Sequence, residues 1–240
     1  MFQWLNECQL IQSIISLLDP SLARDTHDNA SRLLIEILRV SRDGQFAPPN
    51  ERCEDPLLET LESPDTIRML LDIMFKPDVS PCESSLVNGI SVLLVLLESR
   101  KQQPQQIIPT NMFSASAYNP AGSDPELTSP EELEKQQKVL VASIQAILPR
   151  IKDFTSLLEQ PPSKMAIKST AGVLDPPLGA TRLSIAKLIS ALLSTNTSEV
   201  NLILKENKTV DILLVDKDPV RSLSTKLIFF SSRICFSNTP

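Results

Sequence analysis

Apolar residues recur along this chain at three- and four-residue spacing. Between residues 4 and 18, Trp4, Cys8, Ile11, Ile15 and Leu18 share one helical stripe, with Leu10, Ile14 and Leu17 beside it. That pattern predicts one helix. Asp19-Pro20 ends it, because a residue before proline is pushed out of helical geometry. A second helix is predicted from about 28 to 42. Ala30, Leu33, Leu34, Ile37 and Leu38 would turn inward, and Arg32, Glu36, Arg39 and Arg42 outward.

Prolines mark the next helix starts. Ser63-Pro64 opens a helix with Ile67, Leu70, Leu71 and Met74 inward. Ser80-Pro81-Cys82-Glu83 and Ser129-Pro130-Glu131-Glu132 both read as capping boxes with proline at the first helical position. The serine accepts an orphan backbone N–H, proline loses nothing there, and glutamate complements the dipole. The helix after Ser80 turns Leu86, Ile90, Leu93, Leu94 and Leu97 inward. The helix after Ser129 does the same with Leu133, Leu140, Ile144, Ile147 and Leu148, then bends or breaks at Pro149, and Leu157 and Leu158 extend its apolar face. Leu183, Ala186, Ile189 and Leu193 mark a further helix, and 200–204 and 210–215 two shorter ones. The run 210–215 is compatible with a strand, but its neighbours are helical, and no segment shows clear period-2 alternation.

The reading is all-α. Helices of about 12 to 20 residues alternate with short turns, and several are apolar over more than half their circumference, so they need cover on two sides. An armadillo- or HEAT-like helical solenoid fits, because the strict repeat of ankyrin or tetratricopeptide units is missing. Two stretches fall outside it. Residues 101–129, rich in Gln, Pro, Ser and Asn, can bury little and are expected to form a mobile loop; residues 43–56 are polar and acidic.

Composition narrows the function classes. The 240 residues include 23 Lys+Arg and 29 Asp+Glu, a net charge of -6, which argues against a basic nucleic-acid binder. Five glycines leave little for phosphate-cradling loops. Cys8, Cys53, Cys82 and Cys235 form no Cys-x-x-Cys pair and there is one histidine, so no metal and no disulfide framework are expected. The N-terminus has no secretory signal pattern, and no apolar run is long enough to span a bilayer. A cytoplasmic location, extending to the nucleus, is expected.

The runs WLNECQLIQSIISLLDPS and HDNASRLLIEILRVSRD resemble the SAPS-domain proteins, the regulatory subunits of protein phosphatase 6. DPLLETLESPDTIRMLLDIMF, SSLVNGISVLLVLLESR, ILPRIKDFTSLLEQPP and PPLGATRLSIAKLISALLSTNT follow in the same order. The resemblance covers roughly residues 4 to 214. It implies a helical solenoid over residues 1–214, and a regulatory scaffold that binds the protein phosphatase 6 catalytic subunit and bridges to substrates and ankyrin-repeat partners. Residues 215–240 diverge, and set against the family the chain is expected to be short at both ends. The alternatives are a general helical-repeat adaptor without phosphatase contact, or an inactive truncated product.

Candidate sites are few. No Gly-x-Ser-x-Gly, Walker or His-Glu-x-x-His motif occurs, so no catalytic residue and no cofactor are expected. His27, among Asp25, Asp28 and Asn29, reads as a surface or capping position. Arg32, Arg39 and Arg42 form a basic strip suited to an acidic partner surface. Gly179 reads as a turn needing positive φ. Arg182, at a helix start where a base is not favoured by the dipole, either pairs with an acid or meets a partner. Thr128 and Ser129, at a helix N-terminus, are candidate phosphorylation positions.

Overall fold

The computed structural model describes residues 2–44, 55–98, 130–162, 165, 167–169, 172–174 and 179–214. Eleven α-helices follow one another there: α1 (Phe2–Glu7), α2 (Leu10–Ser16), α3 (Arg24–Gly44), α4 (Pro56–Leu61), α5 (Pro64–Met74), α6 (Glu83–Leu97), α7 (Pro130–Ile147), α8 (Ile151–Glu159), α9 (Gly179–Ser194), α10 (Ser198–Glu206) and α11 (Thr209–Leu214). A short antiparallel hairpin, β1 (Ile167–Ser169) with β2 (Gly172–Leu174), precedes α9, with Ile167 opposite Leu174 and Ser169 opposite Gly172. The expected mobile loop at 101–129 and the divergent tail at 215–240 lie outside the described residues.

Stacking proceeds in steps of three helices. α3 lies along α6 and α6 along α9; α1 packs on α4 and α2 on α5. α5 also meets α7, and α8 meets α9 and α11. The pairs His27–Ser84 and Asp28–Asn88 join the N-terminal ends of α3 and α6, and Arg42 meets the carbonyls of Val95 and Leu96 at their C-terminal ends. Those two helices therefore run parallel. The Glu83 carboxylate accepts the Ala180 amide at 3.2 Å and sets α9 beside α6 in the same sense.

The inward residues expected for α5 are all buried: Ile67, Leu70, Leu71 and Met74. Ser63 caps α5, its side chain accepting the Thr66 amide with Pro64 at the first turn, and Asp55 does the same for α4 towards Leu57 and Leu58. The helix after Ser80 starts later than expected. Cys82 is its N-cap, without a side-chain capping bond, and Pro81 lies outside it. The expected first helix is two helices, because Gln9 takes φ 53 and breaks the ladder. Beyond the break Ile11, Ile15 and Leu18 are buried, while Trp4 is 63% exposed. The bend at Pro149 is a 3-10 turn, Leu148–Arg150, between α7 and α8. Residues from 209 are helical rather than extended. Gly179 has φ 71, the left-handed conformation that glycine adopts without strain.

Where α6 crosses α5, the gap is closed to within one methyl group. A β-carbon at Gly89 would lie 2.9 Å from Met74 Cγ and nearer still to its Sδ, and Met74 is itself buried. Gly89→Ala is expected to destabilise the fold by about 1–3 kcal/mol despite its better helix propensity, read as a lower urea midpoint with unchanged helicity.

The turn after α2 is fastened to the end of α5 through Asp19. Its carboxylate bonds the Lys76 ammonium and accepts from the amide and hydroxyl of Ser21 at 3.0 and 2.8 Å. Lys76 first, and Ser21 second, hold Asp19 down from 3.8 to about 2. A carboxyl lowered by folding contributes stability that is complete above its unfolded value and disappears as the pH falls through its folded one. Thermal midpoints measured from pH 5 down to pH 2 should therefore fall more steeply for the wild-type chain than for Asp19→Asn, and parallel curves would deny the pairing that role.

Candidate functional site

The charge strip expected on α3 is built from fewer residues than its spacing suggested. Arg32 and Arg39, seven residues apart, are exposed and, among the described residues, form no ion pair. Beside them the outer edge of α3 carries Asn29, Leu33, Glu36 and Val40. Leu33 is 49% and Val40 62% exposed, although Leu33 was expected to turn inward. The helix begins at Arg24, four residues before the expected start, which places Asn29 inside it rather than at its entry.

Arg42 leaves the strip. Only 11% of its side chain is exposed. Its Nε donates to Glu62 Oε1 at 3.0 Å, and its two terminal nitrogens donate to the carbonyls of Val95 and Leu96 at 2.7 and 3.1 Å. Three residues beyond Arg39 the helix has turned its face towards α6, whose last-turn carbonyls lack partners within their own helix. One guanidinium thus ties α3 to α4 and closes the end of α6.

His27 is not a surface position. It is fully buried: Nε2 lies 2.8 Å from the Asp19 carbonyl and Nδ1 2.7 Å from Ser84 Oγ. It opens a polar seam between α3 and α6. Ser31 Oγ donates to Asn88 Oδ1 at 2.6 Å, Asn88 Nδ2 donates to Asp28 Oδ1 at 2.7 Å, and Ser85 Oγ donates to the Leu18 carbonyl at 2.5 Å. The signal in the sequence was the placement of Ser84, Ser85, Asn88 and Ser91 inside an otherwise apolar run, which marks one side of α6 as bonded rather than greasy.

Arg182 is half-buried in the first turn of α9 and is engaged in an interaction within the chain. Thr128 and Ser129, Cys53 and Cys235 lie outside the described residues. The fold gathers no group of carboxylates, histidines and cysteines able to hold a metal ion, and no helix long and apolar enough to cross a membrane, among the described residues. What the site offers is a surface. Two guanidinium groups without an ion pair among the described residues and two aliphatic side chains stand on a helix that is anchored at both ends, by His27 and by Arg42.

Residues 1–225 match the SAPS family, described as SIT4 phosphatase-associated protein. The chain is 39% identical over 217 residues to serine/threonine-protein phosphatase 6 regulatory subunit 3 of Gallus gallus, a match covering 89% of the chain and 22% of that protein. It is 40% identical over 215 residues to regulatory subunit 2 of Homo sapiens, covering 89% of the chain and 20% of the relative. To regulatory subunit 1 of Mus musculus it is 36% identical over 198 residues, covering 82% and 22%. The chain thus spans about a fifth of the length of these relatives. No solved structure matches it. A helical stack whose sequence follows these regulatory subunits over most of its length belongs to the SAPS family of phosphatase-associated proteins.

Proposed function

We propose that this chain is a non-catalytic scaffold that holds the protein phosphatase 6 catalytic subunit and helps bring substrates or ankyrin-repeat regulatory proteins to it, in the cytoplasm and in the nucleus. The observation that carries this reading is identity of 36 to 40%, over most of the chain, to proteins named as regulatory subunits of that phosphatase. The absence of hydrolase, Walker and zincin motifs from the sequence is in keeping with recruitment rather than turnover. A stack of helices suits such a task. It presents a long surface on which two partners can sit at once, and each then meets the other at a raised effective concentration.

The contact we assign on α3 is Arg32 with Arg39. Among the described residues neither is spent on an internal pair, and Leu33 and Val40 beside them add apolar area. Charged rim residues of this kind orient a partner and speed its encounter. Arg182 is a secondary candidate at the start of α9.

Tagged chain, checked for helicity by circular dichroism, is mixed with purified protein phosphatase 6 catalytic subunit and the captured fraction is measured. Capture by the folded chain is expected, and a folded chain that captures none overturns the scaffold reading. The double variant Arg32→Glu with Arg39→Glu should weaken capture about tenfold without loss of helicity. Unchanged capture would remove the α3 strip while leaving the scaffold intact.

A further inference from the structure

Cys82 is the end of a hydrogen-bonded relay whose other end is buried. Cys82 is a half-buried residue; its Sγ lies 3.3 Å from Ser84 Oγ, Ser84 Oγ lies 2.7 Å from His27 Nδ1, and His27 Nε2 lies 2.8 Å from the Asp19 carbonyl oxygen. The last contact fixes the rest. A carbonyl only accepts, so Nε2 carries a hydrogen, and in the neutral ring Nδ1 is then the acceptor. Ser84 must give its single hydrogen to Nδ1, and its lone pair is left to accept the Cys82 S–H. Every donor in the row points from the sulfur towards the imidazole.

Moving each hydrogen one place along that row exchanges the S–H and O–H bonds for O–H and N–H bonds and keeps every hydrogen-bonded contact, with its direction reversed. Cys82 becomes a thiolate, Ser84 remains a hydroxyl but donates to the sulfur, and His27 becomes an imidazolium donating from both nitrogens. This is the arrangement of a nucleophile, its base and a group that orients the base, with a serine inserted between the first two. The base has no exposed surface, so water does not compete for it, while the sulfur stands at the rim of α6. Burial acts to raise the Cys82 thiol, but the Ser84 hydroxyl and the nearby amides of Ser85 and Ser84, which are too poorly placed to be capping bonds, outweigh it and hold the thiol below its ordinary range, against Glu83. Of the charged groups on the packed elements, Asp19 is joined to Lys76 at the turn after α2 and the end of α5, and Asp28 on α3 is bonded to Asn88 and paired with Arg24. None of them bonds the relay through its charged group.

We propose that Cys82 is a site of oxidation by hydroperoxides, activated by His27 through Ser84. The thiolate sulfur attacks one peroxide oxygen and the O–O bond breaks. The sulfur is oxidised by two electrons to the sulfenic acid. The departing oxygen takes up the proton held on His27, handed back through Ser84, and leaves as water when hydrogen peroxide is the oxidant. The sulfur and the relay return to a neutral state with the oxygen added at the N-cap of α6.

The test uses the whole chain and needs no partner, so its result is independent of the phosphatase reading. Hydrogen peroxide is added at pH 7 with dimedone present, and adducts at Cys82 and at the exposed Cys8 are followed in the same sample by peptide mass spectrometry. Cys82 is expected to form its adduct about tenfold faster than Cys8. Its rate should also level off at a lower pH. Ser84→Ala should bring Cys82 down to the Cys8 rate with an unchanged thermal melt, and Ser84→Thr, which keeps the hydroxyl, should retain the fast rate. Equal rates at the two cysteines in the folded wild-type chain overturn the proposal, as does a Ser84→Thr variant that folds and is as slow as Ser84→Ala. If the alanine variant fails to fold, the wild-type comparison decides alone.

Discussion

The arrangement depends on the near-complete enclosure of α6. Ser85, Leu86, Gly89, Ile90, Val92, Leu93, Val95, Leu96 and Leu97 are buried, more than half of its circumference, and Ser84, Val87, Asn88, Ser91 and Leu94 on the remaining side are half-buried. No residue from Glu83 to Leu97 is fully exposed, so the helix must be covered on several sides. α3, α9, α5 and α7 all pack against it. Each of these then has its own face committed to α6, and their remaining neighbours follow. α2 closes on α3 and α5, and α8 closes on α9. Burial of an aliphatic side chain contributes about 1.5–3 kcal/mol, so this single helix contributes a large share of the driving force that keeps the units together.

Apolar cover alone would leave α6 free to slide along its neighbours, since leucine packs on leucine in many registers. The polar seam removes that freedom. His27, Asp28 and Ser31 meet Ser84 and Asn88 at one end, and Arg42 meets the carbonyls of Val95 and Leu96 at the other. A shift by one turn would leave these groups buried without partners, which costs more than the bonds themselves contribute. The hydrogen bonds thus specify register, and burial supplies most of the stability. Polar contacts fixing the alignment of packed helices is their best-attested role.

The helical class, the inward face of α5 and the break at Pro149 could be read from spacing, because each depends on local pattern. The departures from that reading have non-local causes. The split between α1 and α2 comes from Gln9, a residue with no turn signature that takes a left-handed conformation. The delayed start of α6 leaves Ser80 and Pro81 outside the helix. His27 and Arg42 were misplaced for one shared reason. Spacing gives the angle of a residue round its own helix, but not which neighbour occupies that angle. A polar residue turned towards another helix looks the same in sequence as one turned towards water. The hairpin of Ile167–Ser169 and Gly172–Leu174 is too short to show an alternation at all. The α3 surface was legible in part: two of its three arginines are exposed as the pattern indicated.

Because the hydrogen bonds of the seam pair α3 and α6 start to start and end to end, and Glu83 sets α9 likewise, the peptide dipoles of the layer point one way. In a bundle of alternating helices such dipoles cancel; here they add, and one rim of the layer is positive while the opposite rim is negative. The ends of the helices answer that field. Asp25 and Glu83 stand in the first turns of α3 and α6, and Arg42 at the far rim. The Glu83 carboxylate serves α9 as well, through the Ala180 amide, and Arg42 serves α6 as well as its own helix. Each charge thus spans two adjacent units. Its interaction with the layer grows with the number of helices aligned beside it, so that the stack is electrostatically a single body rather than a row of separate helices.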